Sequence, residues 1–198
     1  MTTIDYFFSL VSPWTYLGHE RFEALAKKYN AKVNYKPIDI SKVFAATGGV
    51  PVKQRSPQRQ AYRMMELKRW KEHLKIPLTL EPKFFPANGE AGSLVVIAAI
   101  RQALPPGKLI GNFCRACWAE EKNVADPDTI REITKSSGLN ADDLLKAAAA
   151  PDIQAEYNSN TEEGIRRGVF GAPTWIVRDE VFWGQDRLDF LERALQRG

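Results

Sequence analysis

Phe113-Cys114-Arg115-Ala116-Cys117-Trp118 holds both cysteines of the chain, at the spacing of a redox dithiol or of half a zinc site. A zinc site needs further ligands at matching spacing, and the two histidines, His19 and His73, stand in unrelated segments. The pair also falls inside a helix-like stretch with no strand ahead of it. Cysteine is often buried as a small hydrophobe, so packing is the expected role and no metal is expected. Redox sensing and metal binding are the other readings of the pair.

Three other stretches carry polar groups where a ligand could use them. Ser12-Pro13-Trp14-Thr15 reads as a strand-to-helix turn, with serine at the N-cap and proline at the first helical position. A helix N-terminus favours an anion through its free N–H groups and its dipole. Gly171-Ala172-Pro173-Thr174 sets a proline immediately before a strand, and Trp183-Gly184-Gln185-Asp186-Arg187 opens the last helix. Taken singly, an ordinary N-cap, a turn before an edge strand and a helix cap would account for all three. A Ser-His-Asp hydrolase is disfavoured, because neither histidine has an orienting context and Ser12 lacks the G-x-S-x-G elbow. No P-loop or dinucleotide fingerprint occurs.

The elements that position these groups follow from hydrophobic period. Ile4 to Leu10 reads as a strand buried on both faces, and Val33 to Ile38 alternates as a second strand. Tyr16, Leu17, Phe22, Leu25 and Ala26 form the apolar face of a helix between them, giving a right-handed βαβ unit. From about residue 42 to 167 the period is helical. Leu67, Trp70 and Leu74 mark one inner face, and Leu94 to Leu104 another. Asp126-Pro127 opens a third helix, and Asn140 caps a fourth that runs to Pro151. Thr174 to Arg178 and Val181 to Trp183 then form a hairpin around Asp179-Glu180, and Asp186 begins a closing amphipathic helix. Neither end could bury a core alone, so their strands must share one sheet. The expected fold is α/β, a βαβ…ββα sheet with a large all-helical insertion, forming one domain over residues 1–198.

Hydrophobic residues at 44% and charged ones at 26% are those of an ordinary globular chain. The longest apolar run, Leu94 to Ile100, falls far short of the roughly 20 residues a membrane span needs. The opening MTTIDYFFSLVSPW has no basic leader, so a cytoplasmic location is expected. The net charge of +4 is spread among interleaved acids and bases. The basic stretch Lys53 to Lys75 suits a small anion; no nucleic-acid motif accompanies it, and neither nucleic acid nor membrane is an expected partner.

In this order and spacing the motifs resemble the thioredoxin superfamily. More closely they resemble the kappa-class glutathione transferases and 2-hydroxychromene-2-carboxylate isomerases of DsbA-like fold. The likeness spans almost the whole chain, through YFF-LVSPWTYLG, RSPQRQAYRMMELKRW, GVFGAPTW and FWGQDRLDFLE. It implies that Ser12 occupies the place of the superfamily's redox dithiol and holds the thiolate of reduced glutathione. It implies that Pro173 is a cis-proline whose preceding residue, Ala172, pairs with the cysteinyl part of glutathione. It also implies that Trp183, Gly184, Gln185 and Asp186 hold the γ-glutamyl end, Asp186 meeting the ammonium and Gln185 the carboxylate. Substrate-contacting positions fall at Phe44, Lys53, Gln54 and Phe84, with Trp14 alongside and Arg59 where kappa-class relatives carry lysine. The chain departs from one isomerase of the family at Phe44, where that protein has lysine, and at Lys53-Gln54, where it has Asn-Arg. The implied activity is a glutathione-dependent isomerisation of an aromatic carboxylate in aromatic catabolism, by a homodimer. A transferase or peroxidase that consumes glutathione, and a non-catalytic relative, are the alternatives.

Overall fold

The computed structural model describes residues 1–197. Its sheet has four strands in the order β2-β1-β3-β4, so strands from both ends of the chain sit side by side. β1 (Thr3–Phe8) leads into α1 (Pro13–Lys28), and β2 (Lys32–Pro37) returns parallel to β1. β3 (Thr174–Val177) lies antiparallel to the other side of β1, with Tyr6 opposite Trp175. β4 (Glu180–Trp183) completes the hairpin.

Alternation along β1 explains why it is central. Ile4, Tyr6 and Phe8 enter the larger core with Phe22 and Leu25 of α1. Phe7 points the other way, into a smaller cluster with Ile38, Val43, Val169 and Ile176. A strand buried on both faces carries apolar residues at successive positions, as β1 does.

Seven helices fill the chain between β2 and β3. These are α2 (Ile40–Thr47), α3 (Pro57–Leu74), α4 (Glu90–Arg101), α5 (Gly107–Trp118), α6 (Pro127–Ser136), α7 (Ala141–Ala148) and α8 (Pro151–Arg166). Ser56, Asp126 and Asn140 cap α3, α6 and α7 through side-chain oxygens, the last two as their positions in the sequence suggest. Pro151 does more than end a helix: it stands in the first turn of α8, where its missing N–H costs nothing. α9 (Leu188–Gln196) closes the chain over the hairpin.

Two boundaries differ from the sequence expectation. The hairpin turn is Arg178-Asp179, both with positive φ (49° and 66°), and Glu180 already belongs to β4. A two-residue turn of that handedness matches the twist of the strands, which a turn at Asp179-Glu180 would not. Asp186 does not open α9; it lies within a 3-10 turn, Gln185–Arg187, that precedes it. Among the described residues no helix is long and apolar enough to cross a membrane.

Candidate active site

Where β1 ends the chain must turn sharply into α1, and Ser12 makes that turn. Its backbone is extended (φ −82°, ψ 125°), its N–H donates to the Ser9 carbonyl at 3.1 Å, and its Oγ accepts the Thr15 N–H at 3.3 Å. Pro13 has no N–H, so the first donor the helix offers is that of Trp14, which no group among the described residues accepts. The Ser12 hydroxyl donates to the Ala172 carbonyl at 3.2 Å, joining the N-terminus of α1 to the loop before β3. The Ala172–Pro173 peptide is cis.

Ala172 itself is nearly buried. Its carbonyl being taken by Ser12, the group it leaves open is its N–H, which has no acceptor among the described residues. The Pro173 carbonyl accepts the Gly184 N–H at 2.9 Å, so the loop after β4 is fastened to the cis-proline loop. Gly184 has φ +99°, and a side chain there would start 2.6 Å from Asp186 Oδ1, so glycine alone fits. Asp186 is exposed, with Arg187 at 3.4 Å as its nearest cation. Trp183 covers the same loop from outside: its ring lies 4.6 Å from that of Phe170, and its Nε1 fills the space a side chain on Gly171 would need.

Gln185 is engaged within the chain. Its side chain is buried, and its Oε1 accepts from Arg21 Nη1 at 2.6 Å. Its Cβ rests against Gly18 of α1, where an added methyl would lie only 2.9 Å away. Gln185 thus pins the 3-10 turn to α1 and holds Asp186 beside Ser12's helix. The signal for this was Gly18 and Arg21, which stand one turn apart on α1 but gain meaning only when the turn packs there.

The cysteines lie elsewhere. Cys114 and Cys117 sit on the buried face of α5 with Ile110, Phe113 and Trp118, unbonded to each other. Burial pushes the Cys117 thiol up to about 12 and the Cys114 thiol higher still, the opposite of what a reactive thiol needs. The Ser12 turn, Ser12 to Thr15, contains no cysteine, so nothing at that turn can form a disulfide. Among the described residues no group of three or more His, Cys, Asp or Glu is placed to hold a metal ion.

The residues aligned with substrate contacts are more dispersed. Trp14 is half-buried, packed on the core. Phe44 is half-buried on α2, with the Arg55 guanidinium 5.9 Å from its ring. Lys53 and Gln54 are exposed on the 3-10 turn Val52–Gln54, and Arg59 is exposed in the first turn of α3. Phe84 is exposed as well, under the Lys83 ammonium; its neighbour Phe85 is the one turned inward, 4.8 Å from the Trp118 ring. Trp118 Nε1 in turn donates to the carbonyl of Val11, the residue before Ser12. Arg63 lies over both rings, at 5.5 and 5.8 Å. Sequence reasoning missed it, although it holds the inner-face register of Leu67, Trp70 and Leu74, a place where a charge is out of keeping.

Residues 3–196 match the family model for the DSBA-like thioredoxin domain. A 2-hydroxychromene-2-carboxylate isomerase of Sphingobium xenophagum is 32% identical over 194 residues, covering 98% of this chain and 97% of that protein. Glutathione S-transferase kappa 1 of Homo sapiens is 24% identical over 205 residues, covering 98% and 90%. Among solved structures, a 2-hydroxychromene-2-carboxylate isomerase superposes with a TM-score of 0.79 at 27% identity, covering 98% of this chain and 95% of that one. With its sheet order, its cis-proline loop and near-complete coverage in each comparison, the chain belongs to the DSBA-like thioredoxin family, together with the 2-hydroxychromene-2-carboxylate isomerases.

Proposed function

We propose that this chain is a glutathione-dependent isomerase of an aromatic, chromene-type carboxylate. The observation that carries the reading is the Ser12 turn: a hydroxyl and an open N–H at the start of a long helix, facing a cis-proline loop whose own N–H is open. Its relatives add the chemistry, since the Sphingobium protein is named as an isomerase and the human one for glutathione.

The residues present fit the cofactor. The exposed Asp186 carboxylate suits an ammonium, and the Ala172 N–H suits the carbonyl of an extended peptide. The Trp14 N–H and the end of α1 suit an anion. When bound, glutathione would supply a thiolate that adds reversibly to an electron-poor carbon, so that a conjugated double bond becomes single, rotates, and re-forms as the thiolate departs unchanged. Ser12 holds that sulfur as the anion by turning its hydroxyl from the Ala172 carbonyl toward it. The helix dipole favours the same charge state, each tenfold preference for thiolate corresponding to about 1.4 kcal/mol. Asp186 orients the γ-glutamyl end from the turn that Gln185 and Arg21 hold in place.

Calorimetric titration with reduced glutathione, followed by product analysis on a chromene carboxylate, tests the reading. Saturable binding that weakens at least tenfold in Asp186→Ala, with glutathione recovered intact after turnover, is expected. A stable conjugate or oxidised glutathione would make the chain a transferase or peroxidase instead. No binding at millimolar glutathione would end the proposal.

A further inference from the structure

Arg63 is a buried cation without a counter-ion. It is only 8% exposed, its Nη2 is buried and makes no hydrogen bond, and its Nη1 reaches only the weakly accepting Met64 sulfur at 3.9 Å. A guanidinium sealed from water in this way is costly unless something else satisfies it. The Phe85 and Trp118 rings stabilise it in part through their π-faces but accept none of its N–H groups in the plane of the fork.

Its neighbours add to the imbalance. Arg55 is half-buried, with its Nε on the Val50 carbonyl at 2.7 Å. Burial and the Arg55 charge together pull the Arg63 guanidinium down to about 10, which still leaves it protonated at neutral pH. Arg55 in turn feels Arg59. Among the described residues no carboxylate lies within 4 Å of Arg55, Arg59 or Arg63, whereas Arg69 on the same helix pairs with Glu66. A line of positive charge therefore runs from exposed Arg59 past Arg55 to the buried Nη2. It ends against the Trp118 ring, whose Nε1 holds the carbonyl next to Ser12.

We infer that Arg63, with Arg55 beside it, is the carboxylate-binding subsite of the substrate pocket, accepting an aryl carboxylate whose ring lies beside the half-buried Phe85. The choice of an aryl carboxylate rests on the proposed isomerase reading. The free Nη2 N–H groups offer the planar, charge-assisted contact that carboxylates take. Lys53 and Arg59, exposed on the outer side, add positive charge along the approach to it.

Titration of the full chain with trans-cinnamate and with cinnamamide, a neutral analogue of the same shape, tests this. The wild-type protein is expected to bind the acid at least tenfold more tightly than the amide. Arg63→Met should remove that preference while leaving glutathione binding within about twofold. Arg63→Lys, which keeps the charge but loses the fork, should fall between them. No cinnamate binding, equal binding of acid and amide, or a preference that survives in Arg63→Met would each overturn the inference. If Arg63→Met does not fold, the wild-type acid–amide comparison and Arg63→Lys decide it. A failed glutathione titration beside an Arg63-dependent acid preference would remove the isomerase reading and leave the anion subsite standing.

Discussion

At the scale of single residues, the proposed function gives Ser12 two jobs that can be pulled apart. As N-cap of α1 it contributes about 1 kcal/mol, and as the proposed hydrogen-bond donor to a thiolate it would act on turnover. Ser12→Ala should lose both, with turnover falling about 100- to 1000-fold, as when one donor to a developing anion is removed. Ser12→Asp keeps a strong cap but sets a carboxylate against the thiolate. It restores the cap but cannot donate to the Ala172 carbonyl, so its stability in urea should stay below wild type while its turnover stays at the Ser12→Ala level. Recovery of activity in Ser12→Asp would show that only the cap matters. The cysteines should behave oppositely. Both thiols are sealed in α5, so neither should titrate with an aromatic disulfide reagent in the native state. Cys117→Ala should leave turnover within about twofold while costing stability only as a small cavity does.

At the scale of elements, the approach of the 3-10 turn Gln185–Arg187 to α1 sets the site's geometry. Gly18→Ala would put a methyl 2.9 Å from Gln185 Cβ and push the turn, with Asp186, away. Glutathione affinity should drop severalfold or more and stability by about 1–3 kcal/mol. Gly111→Ala on α5 is the control: its added methyl meets only the His19 ring at 3.4 Å, and the better helix former should leave stability unchanged or raise it by up to about 1 kcal/mol. Equal effects of the two in a denaturation series would contradict this packing account. The frame of elements was legible because β1, α1 and the caps at Ser12, Asp126 and Asn140 obey local rules of period and capping. The Ser12 and Pro173 loops were legible from motif order. Gln185 and Arg63 were not, because a side chain's direction there depends on what packs across from it. The Gln185 amide is held by Arg21, and Arg63, a basic residue in a basic stretch, proves to be buried. The turn at Arg178-Asp179 escaped too, since neither residue carries the usual Asn-Gly signal.

At the scale of the whole molecule, His19 ties β1, α1 and α5 together. Its Nε2 donates to the Gly107 carbonyl at 2.8 Å, leaving Nδ1 to accept from the Tyr6 hydroxyl at 3.4 Å. Burial lowers its pKa to about 4, against about 6.5 in an unfolded chain. The unfolded state therefore takes up a proton first. Stability from this residue is full above about pH 6.5 and is lost as pH falls toward 4, by about 2–3 kcal/mol at pH 4.5. Urea denaturation at pH 7 and 4.5 should show that loss in wild type and a smaller one in His19→Gln, measured as each variant's own difference. The helical block between β2 and β3 brings the aromatic and cationic wall of α3 and α5 up against the turn that carries Ser12. This arrangement suits a shared pocket for a thiol cofactor and a flat anion. The most direct test of that account is the thiol titration of bound reduced glutathione, followed by the thiolate absorbance in wild type and in Ser12→Ala. The account predicts a thiol pKa below that of free glutathione in the wild-type complex, returning toward the free value in Ser12→Ala. An unchanged pKa in the wild-type complex, or the same depression in both proteins, would contradict the role given to Ser12.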